Sequence, residues 1–535
     1  MPPPVVLTGA GLTVDDVVAV ARHGAHVRLD PDARARVLET RGVIERLVAA
    51  GEVVYGVTTG FGALATTFVA PEHASDLQER PIRSHAAGVG PPFPREVVRA
   101  MLLLRANTLA LGHSGCRPEI IDRLCDMLRL GIHPVVPEQG SVGASGDLAP
   151  LAHLALPIVG RGEVELGGRT MPAAAALGQV GLAPLALGPK EGLALLNGTQ
   201  MMSAIGALVL ADADRLSRTA STIAAMSVEA LLGTGVAFSA DYQLARPHPG
   251  QVRTAAELRW LLRDSTLQAA HRALDHRVQD PYSVRCIPQV HGASRDAFDH
   301  LRRVLDIEIN AATDNPLVFA GDEVVPADAL ATGGGHVISG GNFHGQPVAL
   351  ALDFAKLAIA ELGSISERRV ALMLDPRLND GLPAFLGAAT GLDSGLMILQ
   401  YTAAALVSED KVLAHPASAD SVPTSANQED HVSMGSIAAR HARMVLGHVE
   451  HILAIELICA AQALDIRLAQ MPGTRPGAGV LEAHAVARSA IAHLGDDREP
   501  GPDIASAVGL VREGRLAQLA DPPELPPGSW LAIGS

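Results

Sequence analysis

The spacing of apolar residues along the chain predicts a mainly α-helical protein. In several long stretches apolar side chains recur every three or four residues, which is the period of an α-helix that buries one face. Helices are predicted at 32–50, 95–110, 199–232, 294–312, 348–374, 394–413 and 427–470. The stretches from residue 199 onward contain little proline or glycine, so we expect them to be the long helices of the fold.

The longest predicted helix carries two apolar stripes. The first consists of Val445, Val449, Leu453, Leu457, Ala460 and Leu464, and the second of Ile452, Ile455, Cys459 and Ile466. A helix with two apolar stripes is buried against several neighbours, as in the middle of a bundle. Ser425, with Gln428 three residues later, predicts a capping box at the start of this helix.

The pattern changes near residue 200. Residues 1–200 contain short helical patterns separated by glycine and proline, with loops expected around 55–65 and 132–150. We therefore expect a smaller, loop-rich N-terminal domain over 1–200. A long-helix bundle and a C-terminal helical region are expected over 201–535, with connectors at 472–479 and 499–503. No internal repeat is evident.

Composition supports a helical, globular protein. Of the 535 residues 48% are hydrophobic but only 3% are aromatic, so the apolar mass is mostly Ala, Leu, Val and Ile. Alanine and leucine favour closely packed helices over sheets. The net charge of −15 argues against nucleic acid and anionic membranes as partners.

Targeting signals and cysteine usage point to a cytoplasmic protein. The first residues show no basic region followed by a long apolar region, and charges interrupt every apolar stretch before it reaches membrane-spanning length. Cys116, Cys125, Cys286 and Cys459 are scattered without CxxC spacing. We expect reduced thiols, with neither a disulfide framework nor a zinc site.

The run GSVGASGDLAP at 140–150 carries the strongest candidate chemistry. Small residues let backbone atoms approach closely, and glycine adopts φ values that other residues avoid. In a tight turn the amide nitrogen of Gly146 could reach the carbonyl carbon of Ala144. Ring closure with loss of the Ser145 hydroxyl would release two waters and leave a methylidene-imidazolone, which is an electrophile. An Ala-Ser-Gly tripeptide alone, however, is far more commonly an ordinary surface turn.

Other segments carry single candidates, each with a structural alternative. Tyr55, in VYGVTTGFG at 54–62, could be a packed loop aromatic, and His85, in SHAAGVG at 84–90, a structural histidine. Asn197, in GLALLNGTQ at 192–200, could cap the helix that follows. Arg285, in VQDPYSVRC at 278–286, suits a carboxylate but could form a surface ion pair. Glu429, in SADSVPTSANQEDH at 418–431, would be favoured by the dipole of a first helical turn.

Taken together, these segments and SGGNFH at 339–344 resemble the histidine and aromatic amino-acid ammonia-lyases, and the matches run from Tyr55 to His431. The resemblance implies a mainly α fold of the ammonia-lyase and fumarase-like architecture, with a long central helical bundle and a smaller N-terminal domain. It implies a homotetramer whose active sites are shared between subunits, which would explain how Tyr55, Ser145 and Glu429 meet. It also implies a methylidene-imidazolone formed autocatalytically from Ala144, Ser145 and Gly146, with help from Asp147 and no external cofactor.

The resemblance further implies a substrate and roles for the site residues. The substrate would be L-histidine, and the products ammonia and trans-urocanate. Tyr55 would remove the β-proton, and Arg285 would bind the carboxylate. The other implied contacts are His85 and Glu429 on the imidazole ring, Asn197 on the amine, and Gln279, Tyr282 and Phe343 lining the site. A phenol is protonated near neutral pH, so Tyr55 would need a stabilised phenolate.

A metal site is not predicted. His441, His448 and His451 fall near one helical face, where a metal is conceivable. Solvated or buried histidines are the more common explanation, since no further ligand is evident.

Two alternatives to a histidine-specific lyase remain open. One is a tyrosine or phenylalanine lyase or aminomutase on the same scaffold, against which the pair His85 and Glu429 argues. The other is a non-catalytic helical scaffold, against which Ser145, Tyr55 and Arg285 together argue. The chain departs from common versions of the family at Thr58, at Leu396 and in a longer connector at 321–336.

Overall fold

The computed structural model describes residues 2–57, 59, 74–272, 277–321, 325–326, 329–332, 334–388 and 391–521. Thr58, the residues from Gly60 to Gly62 of the tyrosine loop, and part of the 321–336 connector lie outside the described residues. The described chain is mainly α-helical, as predicted.

Twenty α-helices are found among the described residues. The first ten are α1 Val14–His23, α2 Pro31–Ala49, α3 Ala74–His85, α4 Arg95–Ala110, α5 Pro118–Leu130, α6 Leu148–Ala155, α7 Ala173–Gln179, α8 Glu191–Leu196, α9 Gln200–Ala230 and α10 Ala240–Leu244. The others are α11 Pro249–Leu261, α12 Thr266–Arg272, α13 Tyr282–Arg285, α14 Ile287–Glu308, α15 Gln346–Leu374, α16 Met397–Leu413, α17 Gly435–Gln470, α18 Ala478–Arg488, α19 Gly501–Glu513 and α20 Arg515–Leu519.

The strands are short and form small sheets. Their bounds are β1 Val5–Leu7, β2 Val27–Leu29, β3 Val89–Pro92, β4 His133–Pro134, β5 Pro137–Gln139, β6 Glu163–Leu166, β7 Arg169–Pro172, β8 Leu317–Ala320, β9 Leu330–Thr332 and β10 Gly335–Ile338. β1 pairs with β2 in parallel. β3 pairs with β5, and the three-stranded sheets β4-β6-β7 and β8-β10-β9 are antiparallel.

Two compact units divide the chain. Unit 1 comprises 1–211, 301–353 and 416–440, and unit 2 comprises 212–300, 354–415 and 441–535. All of the strands named above belong to unit 1, whereas unit 2 is built from helices and connecting segments over its described part. The predicted domain division at residue 200 stays a prediction.

Local sequence explains where the helices begin and end. Thr13 and Asp16 form a capping box at the start of α1, and Gly24 ends that helix in the left-handed conformation. Asp30 caps α2 by accepting from the amides of Asp32 and Ala33. Side-chain caps satisfy amide donors that have no partner inside the helix.

The core of unit 2 contains a buried ion pair. Arg369 of α15 and Glu456 of α17 are both fully buried, and Arg369 Nε lies 2.5 Å from a Glu456 carboxylate oxygen. The hydroxyls of Ser227 and Ser366 each donate to Glu456 at 2.6 Å. A buried pair is tolerated when further hydrogen bonds satisfy its remaining polar atoms, as they do here for the carboxylate.

The predicted helices agree with the observed ones in position. The helix predicted at 95–110 has the same bounds, and those at 32–50, 199–232 and 348–374 differ by two residues or fewer at either end. The helix predicted at 294–312 is longer at its start and covers Ile287–Glu308. In α17, all six residues of the first predicted stripe are buried, and Ile466 of the second stripe is only partly buried.

The predicted start of the longest helix is wrong. α17 begins at Gly435 and not near residue 427. Ser425, Ala426 and Asn427 have φ values of 50°, 53° and 68°, so the chain forms a left-handed turn there. The predicted capping box of Ser425 and Gln428 is therefore absent, because a right-handed helix cannot continue through such residues.

None of the helices in the described part of the chain is long and apolar enough to cross a membrane.

Candidate active site

The run at 140–150 forms a tight turn between β5 and α6 of unit 1. Gly143 and Gly146 both have φ of 72°, a conformation that glycine adopts without strain. The amide of Asp147 donates to the Gly198 carbonyl oxygen at 2.7 Å, and the Gly198 amide donates to the Ser145 carbonyl oxygen at 3.4 Å. A Cβ on Gly146 would lie 2.1 Å from that Gly198 oxygen. The main chain at Gly198 therefore presses on the turn so closely that only glycine fits at 146.

A second segment, just before α17, also holds the turn. The Ser433 hydroxyl donates to the Gly143 carbonyl oxygen at 3.3 Å. Ala144 packs against Val432 and Met434 in a small apolar cluster. A Cβ on Gly143 would lie 2.2 Å from the Ser433 hydroxyl oxygen. The turn thus has close neighbours on both of its halves.

Asp147 is fully buried beside the start of α9. One of its carboxylate oxygens accepts from the amides of Met201 and Met202 at 2.9 and 3.0 Å. Its other oxygen has no hydrogen-bond partner among the described residues. Burial raises the pKa of Asp147 to about 7, although the two amides act in the opposite direction. The amides of a helix N-terminus suit an anion, so this carboxylate links the turn to α9.

Glu429 is in direct contact with the turn. The Ser145 hydroxyl donates to one carboxylate oxygen of Glu429 at 3.3 Å. The Thr424 hydroxyl donates to the other oxygen at 2.8 Å, and the main chains of Thr424 and Glu429 pair with each other. Glu429 lies in a loop and not in a first helical turn, so the helix-dipole explanation is wrong. The contact is made within one chain, so Ser145 and Glu429 need no second subunit to meet.

Asn197 lies directly before the main-chain segment that pairs with the turn. It is 4% exposed, and its side-chain amide donates to the Asn315 carbonyl oxygen at 2.9 Å. It follows the last residue of α8, and α9 begins only at Gln200. The alternative in which Asn197 caps α9 is therefore wrong, and its side chain is held by Asn315 instead.

Phe343 lies in the loop before α15 and is half-buried. The same loop is tied to Asn315, whose side-chain oxygen accepts from the Gly340 amide at 2.7 Å. Asn315 thus contacts both the Phe343 loop and Asn197 within unit 1.

Tyr55 is half-buried in the loop after α2. The carbonyl oxygen of the next residue, Gly56, accepts from the Gln78 side chain at 3.2 Å. The Gln78 side-chain oxygen in turn accepts from the Gly192 amide at 3.0 Å, at the start of α8. One buried glutamine therefore joins the tyrosine loop to the helix that precedes Asn197.

His85 is the last residue of α3 and is half-exposed. Its Nδ1 lies 3.0 Å from the Ser84 hydroxyl. The chain that follows enters β3, where Val89 pairs with Gln139 immediately before the cyclisation run. A Cβ on Gly140 would lie 3.0 Å from the Gly88 Cα, so these two segments pack closely.

Gln279, Tyr282 and Arg285 belong to unit 2 and form one cluster. Arg285 donates to the Gln279 side-chain oxygen at 2.8 Å and to the Asp280 carbonyl oxygen at 2.9 Å. Its guanidinium carbon is 4.6 Å from the centre of the Tyr282 ring, which is a cation–π distance. No carboxylate side chain of the described residues forms an ion pair with Arg285, so the surface ion-pair alternative receives no support. Arg285 borders a cavity of about 320 Å³ that is also lined by Tyr242 and Gln289.

Two of the three histidines considered for a metal contact other groups. His448 Nδ1 lies 2.7 Å from an Asp410 carboxylate oxygen, and His451 Nδ1 lies 2.7 Å from the Gly447 carbonyl oxygen. Among the described residues, no group of three or more His, Cys, Asp or Glu side chains could hold a metal ion.

Several contacts of the site were not anticipated from the sequence. Thr424 lies within the segment 418–431, but its hydrogen bond to Glu429 depends on the left-handed turn between them. Arg105 is fully buried and donates to the carbonyl oxygens of Ala194 and Asn197. Its position directly after the apolar run at 100–104 is the signal that could have marked it, because a buried charge needs fixed partners.

The chain is similar to known proteins over nearly its whole length. The model of the aromatic amino acid lyase family matches residues 12–489. A curated histidine ammonia-lyase from Gloeobacter violaceus is 53% identical over 516 residues, which cover 96% of this chain and 97% of that protein. A tyrosine aminomutase structure from Streptomyces globisporus superposes with a TM-score of 0.89 at 39% identity, covering 96% and 98% of the two chains. A histidine ammonia-lyase structure from Trypanosoma cruzi gives 0.87 at 40%, covering 99% and 97%.

The chain belongs to the aromatic amino acid lyase family. Enzymes of this family depend on a methylidene-imidazolone prosthetic group. The residues at the turn fit such a group. Neighbouring atoms leave no room for a side chain at Gly146 or Gly143, and the nearby Asp147 carboxylate has one oxygen without a partner among the described residues.

Proposed function

We propose that the chain is a histidine ammonia-lyase, which eliminates ammonia from L-histidine to give trans-urocanate, the first step of histidine degradation. Sequence identity of 53% over nearly the whole length of a curated histidine ammonia-lyase supports this function. The contact of Ser145 with Glu429 is the structural observation that most strongly supports the proposal. A carboxylate next to the turn can hydrogen-bond to an imidazole ring, whereas a phenyl ring offers it no such partner.

We infer that Ala144, Ser145 and Gly146 form the prosthetic group without an external cofactor. The Gly146 nitrogen adds to the Ala144 carbonyl carbon, and that carbonyl oxygen leaves as water with the hydrogens of the two amides. Ser145 loses its hydroxyl and its α-hydrogen as a second water. The close approach of Gly198 to Gly146 supports this, since compression of the turn favours ring closure. We assign Asp147 to support of this cyclisation.

Each remaining site residue has a proposed task. Arg285 binds the substrate carboxylate through its planar fork, with Gln279 and Tyr282 beside it. His85 and Glu429 hold the imidazole ring, and the ring of Phe343 packs against it. Asn197 contacts the amino group, and Tyr55 removes the β-proton. The methylidene-imidazolone supplies the electrophile that makes elimination of ammonia feasible.

We also propose a cytoplasmic homotetramer with shared active sites. The four cysteines are free, which agrees with a reducing compartment. Unit 2 exposes large apolar side chains, including Phe354, Leu357, Tyr401 and Val412, each at least 45% exposed. Exposed apolar side chains in such number are typical of surfaces that bind another protein.

A substrate panel tests the function. Purified protein is given L-histidine, L-tyrosine and L-phenylalanine in turn, while ammonia and the ultraviolet absorbance of urocanate are followed. We expect ammonia and urocanate from L-histidine alone. Release of ammonia or a β-amino acid from tyrosine or phenylalanine, with none from histidine, would favour the aminomutase or lyase alternative.

Ser145→Ala tests the origin of the electrophile. The variant should fold and assemble but lose nearly all turnover, because an alanine side chain has no hydroxyl to lose. Intact-mass measurement should show a loss of two waters in the unmodified protein and none in the variant. Near-normal activity in Ser145→Ala, or an undehydrated active protein, would contradict the assignment.

A further inference from the structure

Arg105 of α4 is a fully buried guanidinium next to the cyclisation turn. It donates to the Ala194 carbonyl oxygen at 2.6 Å and to the Asn197 carbonyl oxygen at 2.5 Å. It also donates to the side-chain oxygen of Gln200. The Gln200 amide is fixed by the hydroxyls of Thr108 and Thr313. One side chain therefore binds both ends of the segment 194–200.

This segment is the part of the chain that presses on the turn. Gly198 exchanges main-chain hydrogen bonds with Ser145 and Asp147, and it lies one residue after an Arg105 acceptor. A Cβ on Gly198 would lie 2.2 Å from an Arg105 nitrogen. Gly198 is thus enclosed by the guanidinium and by the turn. Movement of Arg105 would therefore loosen the close contact between Gly198 and Gly146.

The charge of Arg105 has a second effect. Burial lowers its pKa to about 10, and the nearby carboxylates of Asp314 and Asp147 raise it. The group therefore keeps its charge near neutral pH and favours the ionised form of Asp147. A lysine could supply the charge but could not bind three oxygens in one plane.

We propose that Arg105 is a positioning residue for formation of the prosthetic group. Its fork holds Asn197 and Gly198 against the turn, so that the Gly146 nitrogen remains close to the Ala144 carbonyl carbon during ring closure. The inference rests on the proposed function, because the turn must cyclise for this role to exist. Arg105 takes no part in the bonds that form or break.

Arg99 provides a matched control on the same helix. It is 8% exposed and also donates to main-chain oxygens, those of Val20 and Leu128. Neither acceptor belongs to the segment 194–200. Arg99→Lys therefore removes the same chemistry from the same helix and leaves the turn alone.

The experiment follows dehydration directly. Full-length protein, Arg105→Lys and Arg99→Lys are made by cell-free synthesis, and the mass of the peptide containing 144–146 is measured at intervals. Circular dichroism and thermal melting record folding. We expect Arg105→Lys to slow the loss of two waters about tenfold or more, since small misplacements of reacting atoms have effects of this size. Arg99→Lys should lower the melting temperature and dehydrate at the normal rate.

Turnover per dehydrated chain gives a second readout. In Arg105→Lys it should stay within about twofold of normal once dehydration is complete, because the role precedes catalysis. Normal dehydration in Arg105→Lys, or equal slowing in Arg99→Lys, would overturn the inference and leave the proposed function intact. A wild-type chain that is fully dehydrated yet releases no ammonia from L-histidine would overturn the proposed function itself.

A milder variant tests the inference if Arg105→Lys does not fold. If Arg105→Lys is recovered only as aggregate, Thr313→Ala takes its place, because it removes one hydroxyl that orients Gln200 toward Arg105. Thr313→Ala should slow dehydration by a smaller factor than Arg105→Lys would. Unchanged dehydration in folded Thr313→Ala would then overturn the inference.

Discussion

Buried carboxylates in this protein differ in the partners that surround them. Asp147 receives only main-chain amides, and burial raises its pKa to about 7. Glu229 receives the Ser265 hydroxyl and the Gly477 amide, and burial likewise raises its pKa to about 7. Glu456 is instead paired with Arg369. A buried carboxylate that forms no ion pair is the one whose ionisation costs stability.

The raised pKa of Glu229 predicts pH-dependent stability. The folded-state pKa of about 7 lies above the ordinary value of 4.5, so the folded protein keeps a proton that the unfolded chain has lost. Stability is therefore lost as pH rises from 4.5 to about 7, and no further above that.

Glu229→Gln should remove this dependence. Thermal unfolding near pH 5 and near pH 8 should show the variant gaining about 1–3 kcal/mol over the normal protein at the higher pH. Glu39→Gln, at an exposed position, is the control and should gain nothing. An equal difference between variant and normal protein at both pH values would show that Glu229 does not titrate in this range.

Substitution of Arg285 tests how strongly catalysis depends on the paired donors of a planar guanidinium. Arg285→Lys keeps the positive charge but loses the paired donors, so kcat/KM for L-histidine should fall about tenfold or more. The measurement is steady-state urocanate formation. The control is Lys411→Arg on α16, which makes the reverse exchange between the same two residue types. It should leave kcat and KM for L-histidine unchanged. Unaltered kcat and KM in Arg285→Lys would remove Arg285 from its assigned role.

Among the structural elements, the left-handed turn at Ser425–Asn427 lies next to Glu429, a proposed substrate contact. It lies between Thr424 and Glu429, whose main chains pair. Residues other than glycine and asparagine cost roughly 1–2 kcal/mol each in this conformation, which applies to Ser425 and Ala426. Strain of this kind persists where the surrounding structure fixes the backbone, and here it sets the position of the Glu429 carboxylate.

Ala426→Gly should relieve part of that strain. With φ of 53° and ψ of 42° at Ala426, removal of its Cβ is expected to raise stability by up to about 1 kcal/mol. The freer turn should hold Glu429 less firmly, so KM for L-histidine should rise. Ala419→Gly, which is not at a positive φ, should lower stability instead. A fall in melting temperature for Ala426→Gly would show that the left-handed conformation carries no strain.

At the scale of the whole molecule, shared active sites predict complementation. Ser145→Ala and Arg285→Ala are each expected to be inactive. If Ser145 and Arg285 of one site come from different subunits, random co-assembly of the two variants should restore about a quarter of normal activity. Activity is measured after the variants are co-expressed, with separately expressed and briefly mixed variants as the control. No recovery in confirmed mixed oligomers would contradict sharing between these two residues.

The sequence alone determined the helical fold and the membership of the family, whereas the roles of the individual site residues stay predictions. Helical periodicity is a local property, so α4 and the core stripes of α17 could be predicted from it. The cyclisation run could be distinguished from an ordinary surface turn because several other segments of the chain resemble the same family.

Only the tertiary structure decided how these residues are supported. The left-handed turn before α17, the bond from Thr424 to Glu429 and the fork of Arg105 behind Gly198 all join positions distant in the chain or depend on an unusual backbone conformation. Such contacts are fixed by the packing of the whole unit, because local propensity favours a different conformation or is silent about them.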